Sequence, residues 1–144
     1  MVSIFLYIAA PIVFQMSEKV KIELEFPVKA SPGMLFPFLS TPSGLSEWFC
    51  DDVNSRGEMF TFFWDGSEES AKMIKKKNDK FIQYRWTADE DDGNKYFFEF
   101  RIVVDELTHD VSLIVTDHVD PDEEEEAKLL WESQIHELLH TIGS

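Results

Sequence analysis

Cysteine is almost absent: Cys50 stands alone in 144 residues, which excludes an internal disulfide and any cysteine-rich metal cluster. Cationic side chains are scarce as well, with 13 Lys plus Arg against 28 Asp plus Glu and a formal net charge of −15. Binding to phosphate backbones and anionic headgroups runs on Lys and Arg releasing counterions, so nucleic acid is not an expected partner. The six glycines (Gly33, Gly44, Gly57, Gly66, Gly93 and Gly143) are scattered, and they build no phosphate-cradling loop. No apolar run reaches the ~20 residues of a spanning helix, so stable membrane insertion is not expected either. The low cysteine usage suits a reducing, cytoplasmic setting.

What is present is a large apolar content. Hydrophobic residues make up 44% and aromatics 14%, with 13 Phe, 4 Trp and 3 Tyr, far more than a disordered acidic chain carries. One folded domain with a solvated acidic surface follows.

Residues 1–15, MVSIFLYIAAPIVFQ, contain no charge, whereas every charged residue lies from Glu18 onward. The segment is too short to span and lacks the basic start of a secretory signal. It is read as an apolar N-terminal extension: an upstream start or added segment, with a cleaved signal, a packing arm or a membrane-touching tail as the alternatives. The domain proper is placed at 16–144.

From Val20 the period is two. Val20, Ile22, Leu24 and Phe26 alternate with Lys21, Glu23 and Glu25, the pattern of a half-buried strand. Ser31-Pro32 and Thr41-Pro42 each open a short helix, with Ser or Thr as N-cap and Pro at the first helical position. Phe60, Phe62 and Trp64 share one strand face, Asp65-Gly66 is a hairpin signal, and a weaker strand is expected near Ala71 to Lys75. Ile82, Tyr84 and Trp86 form another face. After a polar loop from Asp89 to Lys95, a further strand runs from Tyr96 through Phe98, Phe100, Ile102 and Val104, then another through Val111, Leu113 and Val115. Strands at hairpin spacing make an antiparallel sheet.

The chain closes with a long helix. Asp120, Pro121 and Glu123 stand at capping-box-like spacing, Ala127, Trp131, Ile135, Leu138 and Ile142 form an apolar stripe, and Gly143 is placed to cap the end. That stripe must be buried, and the aromatic face of the sheet is the surface available. The expected fold class is α+β: a curved antiparallel sheet of about six to seven strands wrapped around the long C-terminal helix, with two short helices after strand 1.

This order resembles the helix-grip fold of the START-like, or SRPBCC, superfamily. The stretch Val28-Lys29-Ala30-Ser31-Pro32, followed by Leu39-Ser40-Thr41-Pro42-Ser43-Gly44-Leu45-Ser46-Glu47-Trp48-Phe49, is similar to the opening signature of the branch homologous to the activator of heat-shock-protein-90 ATPase. Here Thr41-Pro42 lacks the Asp that the signature carries between them. Leu130-Trp131 fits the same branch. The resemblance covers about residues 17 to 144 and implies an apolar cavity between sheet and long helix, of the kind that holds lipids, sterols or polyketides. Chemistry varies too widely across the superfamily to imply an activity.

His136-Glu137-Leu138-Leu139-His140 matches the HExxH pattern of zinc proteases literally. Taking ~100° per residue, the two histidines point away from the apolar stripe, toward solvent rather than an enclosed cleft. Only four residues follow His140 here and none is a ligand type, so a downstream third ligand is not expected, and two histidines near a helix C-terminus suit its negative dipole end. Asp51-Asp52 and Asp117-His118 are candidates for acid/base work but are read as solvated turn residues. His109 is read as a turn residue and Cys50 as small packing. No catalytic residue, cofactor or metal is expected, and hydrolase or cyclase chemistry is a distant third reading.

The leading expectation is non-catalytic binding of a hydrophobic small molecule or lipid in the grip. Its candidate lining is Phe60, Phe62, Trp64, Tyr84, Trp86, Phe98, Phe100, Trp131, Ile135 and Leu138, the rings either filling the grip or lining a pocket. The alternative is a protein-interaction, co-chaperone-like module using the acidic surface and an outer patch of Phe63, Phe81 and Phe97. That patch also suits a homodimer.

Overall fold

The computed structural model describes residues 18–144; the expectations for 1–15 lie outside the described residues. Strand β1 (Val20–Val28) leads to helices α1 (Pro32–Ser40) and α2 (Pro42–Leu45). Then come β2 (Asp52–Arg56), β3 (Met59–Trp64), β4 (Ser67–Lys77), β5 (Phe81–Trp86), a short helix α3 (Thr87–Asp91), β6 (Phe98–Val104) and β7 (Val111–Val119). A 3-10 turn (Pro121–Glu123) runs into the long helix α4 (Glu124–Thr141). The seven strands form one sheet, β1-β7-β6-β5-β4-β3-β2, with every neighbouring pair antiparallel. This is the expected α+β helix-grip arrangement.

Local signals act as their chemistry requires. Ser31 Oγ accepts from the Met34 N–H at 3.2 Å and Thr41 Oγ1 from the Gly44 N–H at 3.0 Å, each satisfying a first-turn donor of its helix. Gly66 takes φ +79° in the two-residue loop between paired Trp64 and Ser67. At the C-terminus Gly143, at φ +76°, donates to His140 O, while the Ser144 N–H reaches back to Leu139 O at 2.8 Å, the bonding of a Schellman cap.

Several expectations are corrected. Strand β2 begins at Asp52, where a solvated turn was expected; Asp52 is exposed, and its carboxylate accepts from the next N–H. Residues 87–91 are helical although the polar loop was expected from Asp89, and β6 starts at Phe98, leaving Tyr96 and Phe97 before the strand. Asp120 makes no side-chain cap; α4 enters through the 3-10 turn instead. Asp117 and His118 lie inside β7 rather than between strand and helix.

The apolar stripe of α4 seats Trp131, Ile135 and Leu138 in one continuous core with the inner faces of the sheet, α1 and α2. Truncating one such buried aromatic to Ala removes ~3–5 kcal/mol, a large share of a domain's net stability.

Candidate functional site

The candidate grip residues do converge. Phe60 and Phe62 from β3, Tyr84 from β5, Phe98 and Phe100 from β6, and Trp131, Ile135 and Leu138 from α4 are all buried, while Trp64 and Trp86 are half-buried at the periphery. They meet mainly as rings packed on rings: Tyr84 stacks on Phe98 at 5.1 Å between centroids, and Trp86 lies 5.0 Å from Phe98. Such edge-to-face and offset contacts fill space rather than line it.

The hub of this packing is Phe49, which was not among the candidates. Its ring meets Trp48, Phe62, Trp64, Phe98, Phe100 and Trp131 at centroid distances from 5.1 to 6.4 Å. The available signal was the Trp48-Phe49 pair of the family-like signature. No alternation marks these two, because they sit in the irregular segment between α2 and β2.

Polar atoms inside the grip are taken by protein partners. The Tyr84 hydroxyl donates to Leu39 O at 2.7 Å, Trp48 Nε1 to Phe38 O at 2.8 Å, Trp64 Nε1 to Phe49 O at 3.1 Å, and Trp131 Nε1 to Asp117 Oδ2 at 2.9 Å. Burial pushes the Tyr84 phenol far above its ordinary value, so it stays a donor.

An open cleft of about 460 Å3 is lined by Ser46, Glu47, Trp48, Phe49, Cys50, Asp51 and Trp64 and by Gln134 and Glu137 of α4. Of the ten grip candidates only Trp64 reaches it. Gln134 stands three positions beyond Trp131 and Glu137 three beyond Gln134, each the spacing of neighbours on a helix surface. The Cys50 thiol is pushed up to about 11, first by burial and then by the Asp51 and Asp52 carboxylates, so it is held as a neutral thiol.

Asp117 is the corrected acid/base candidate. Its Oδ1 accepts from the His118 N–H at 2.8 Å and its Oδ2 from the Trp131 indole. Burial is the largest influence and raises its pKa to about 6, against the lowering effects of those two donors, Lys19 and His118. Among the described residues Asp117 makes no ion pair; Lys19 Nζ lies 3.7 Å from Asp89 instead. The His118 ring is held 2.9 Å from Phe97 O and packs on Phe97 and Tyr96.

His136 and His140 are exposed, and no cluster of three metal-ligand side chains occurs among the described residues. His109 occupies the β6–β7 turn at φ +67°. Phe63, Phe81 and Phe97 are each half-buried but do not adjoin. Phe63 pairs with Glu68 near one end of β4, Phe81 pairs with Lys77 at the other end and lies under the Arg101 guanidinium at 4.4 Å, and Phe97 packs on His118.

A family model for the START-like superfamily domain matches residues 16–144. The chain belongs to the START-like superfamily. Among solved structures, a Bacteroides fragilis protein solved in solution is 34% identical, covering 86% of this chain and 91% of its own, with a TM-score of 0.62. The Aha1 dimer of Colwellia psychrerythraea is 19% identical over 85% of this chain and 96% of its own, TM-score 0.72. A Mesorhizobium loti protein is 18% identical over 86% and 97%, TM-score 0.69. The latter two likenesses support the fold. No curated protein matches the sequence. No helix among the described residues is long and apolar enough to cross a membrane.

Proposed function

We propose that this START-like domain is a non-catalytic binder of a hydrophobic small molecule, taken at the mouth of the grip rather than in its interior. The observation that carries this reading is the open cleft of about 460 Å3 in which Trp48, Phe49 and Trp64 stand beside Ser46, Glu47, Asp51, Gln134 and Glu137; that volume falls in the ~300–1,000 Å3 range of small-molecule sites. The rings behind it serve as packing that holds Phe49 and Trp64 in place. A neutral Cys50 thiol and outward-facing His136 and His140 support a binding role over a nucleophilic or metal-assisted one.

The test is titration with the neutral dye Nile red, followed by its fluorescence. Gln134→Trp, which fills the cleft from an α4 position that is not fully buried, should weaken binding at least ~10-fold while the far-ultraviolet spectrum stays unchanged. Equal binding by this variant and the parent would end the cleft reading.

A second reading, surface-mediated protein interaction, is favoured by the internal partners of Trp48, Trp64, Trp131 and Tyr84, which leave those polar groups engaged within the protein. The similar Colwellia protein is described as a dimer. Sedimentation at increasing concentration tests whether self-association is part of this reading: a dimer supports it, and a monomer at every concentration removes the homodimer.

A further inference from the structure

Strand β1 ends the sheet. Among the described residues its one strand partner is β7, and their nine residue pairs run from Val20 with Val119 to Val28 with Val111 without a bulge. Its other side is therefore a long, regular edge whose alternate N–H and C=O groups offer a template for a further strand. The inward side chains are incompletely covered in the same way: Ile22 and Val28 are buried, whereas Val20, Leu24 and Phe26 are only half-buried. On the outward face Lys21, Glu23 and Glu25 are exposed, and among the described residues none of the three is in an ion pair.

We propose that the occupant of this edge is a second copy of the chain: β1 pairs antiparallel with β1 of the partner about a two-fold axis at Ile22, joining the two sheets edge to edge. This deepens the self-association reading above, and rests on it, by naming the surface and the register.

The register is chosen by charge. Two antiparallel strands related by a two-fold axis pair residues at equal distances on either side of it. With the axis at Ile22, Lys21 faces the partner's Glu23 and Lys19 faces the partner's Glu25. Symmetry repeats both pairs, so every outward position meets the opposite sign. Lys19 is already held 3.7 Å from Asp89, which leaves the central Lys21–Glu23 pairs to make the selection. On the inward face Val20 meets the partner's Leu24, covering two of the half-buried side chains. Pro27, which has no N–H to give, lies beyond the paired stretch 19–25.

Neighbouring registers are worse. An axis at Glu23 keeps Lys21 beside Glu25 but sets Glu23 against its own copy; an axis at Leu24 sets Glu23 against Glu25, and one at Lys21 sets that lysine against itself. An axis between two residues would oppose inward side chains to outward ones. The net charge of −15 on each copy opposes approach, but salt screens that repulsion beyond ~8 Å, whereas paired strands stand ~5 Å apart. The other sheet edge, β2, is five residues long with Val53 as its one buried side chain, a poorer template.

Sedimentation velocity of the full chain at rising concentration, in about 0.15 M salt, tests the proposal. The parent should dimerise. Lys21→Glu and Glu23→Lys each put like charges opposite at both symmetric pairs and should each weaken the dimer at least ~10-fold. The double variant Lys21→Glu/Glu23→Lys exchanges the two signs and should return to within a few-fold of the parent. An equal mixture of the two single variants should also associate, because each supplies the charge that the other lacks. Arg56→Glu, on the β2 edge, should change nothing. A parent that is monomeric at every concentration overturns this proposal together with the self-association reading. A dimer indifferent to both single variants, a double variant as weak as the singles, or a dimer lost in Arg56→Glu overturns the β1 edge alone and leaves self-association standing. Should a variant not fold, hydrogen exchange of the unaltered protein decides: amides of residues 20–26 should gain protection as concentration rises, and no gain overturns the proposal.

Discussion

The Tyr84 hydroxyl donates to the Leu39 carbonyl oxygen at 2.7 Å, joining β5 to the last turn of α1 across 45 positions of sequence. Both residues are fully buried. A helix-end carbonyl that lacks an intrahelical partner is thus satisfied from the middle of the sheet, and α1 is set over the end of the grip.

Tyr84→Phe should fold and be less stable by ~1–3 kcal/mol, because the Leu39 carbonyl is left buried with one partner fewer. Urea unfolding of the two proteins measures it. A difference under a few tenths would show that water or a shifted helix end satisfies the carbonyl. Alkaline titration gives a second readout. Burial raises the Tyr84 pKa, so the stabilisation is complete below the unfolded-state value of ~10 and is lost as pH climbs above it. Tyrosinate absorbance from Tyr84 should appear only together with unfolding.

Gly44→Ala should be among the most damaging small substitutions. A Cβ there would run into the Pro37 carbonyl oxygen and come within 2.6 Å of Phe38 Cα, both backbone atoms of α1. Neither can swing aside as a flexible side chain could. A loss of ~2 kcal/mol or more is expected, read as a lower Tm and urea midpoint. A stability equal to that of the parent would mean that α1 and α2 can separate without strain.

The Cys50 thiol, pushed up to about 11 chiefly by burial, should resist a disulfide reagent such as dithionitrobenzoate at pH 8 in the folded protein. It should react at the ordinary rate in 6 M guanidinium, once the thiol meets solvent. Fast reaction under native conditions would contradict the neutral thiol described above.

Changing both His136 and His140 to Gln should alter stability by less than ~1 kcal/mol, the scale of an exposed charge at a helix end. Dye binding should be unchanged. Tightly held, stoichiometric zinc in protein prepared without metal-affinity steps, lost in the double variant, would reinstate a metal role for this pair.

The parts of the fold that can be read along the chain are those whose cause is local. Alternation in Val20 to Phe26 and in Ile82 to Trp86 reports a strand with one buried face, because successive side chains of a strand point to opposite sides. Ser31, Thr41 and Gly143 mark helix ends because capping involves atoms only a few residues apart. The Trp131, Ile135 and Leu138 stripe names the inner face of α4 for the same reason.

The short strand β2 escapes such reading. Asp52, Asn54, Ser55 and Arg56 are exposed, and Val53 is its one buried residue, so it exists through pairing with β3 rather than through any pattern of its own. The expected outer patch fails for a related reason: phase tells which face Phe63, Phe81 and Phe97 occupy, but sheet register sets the distance between them.

By itself, then, the sequence determined an acidic single domain with an antiparallel sheet, a long C-terminal helix and an aromatic face between them. These follow from charge, periodicity and capping, which act over a few residues. Tertiary structure alone decided that Phe49 became the hub of the aromatic packing, that an open cleft formed beside it, and that Asp117 met the Trp131 indole. A carboxylate's solvation and a ring's neighbours depend on which distant segments the sheet and helix bring together, and those distances are not written in the spacing of residues along the chain.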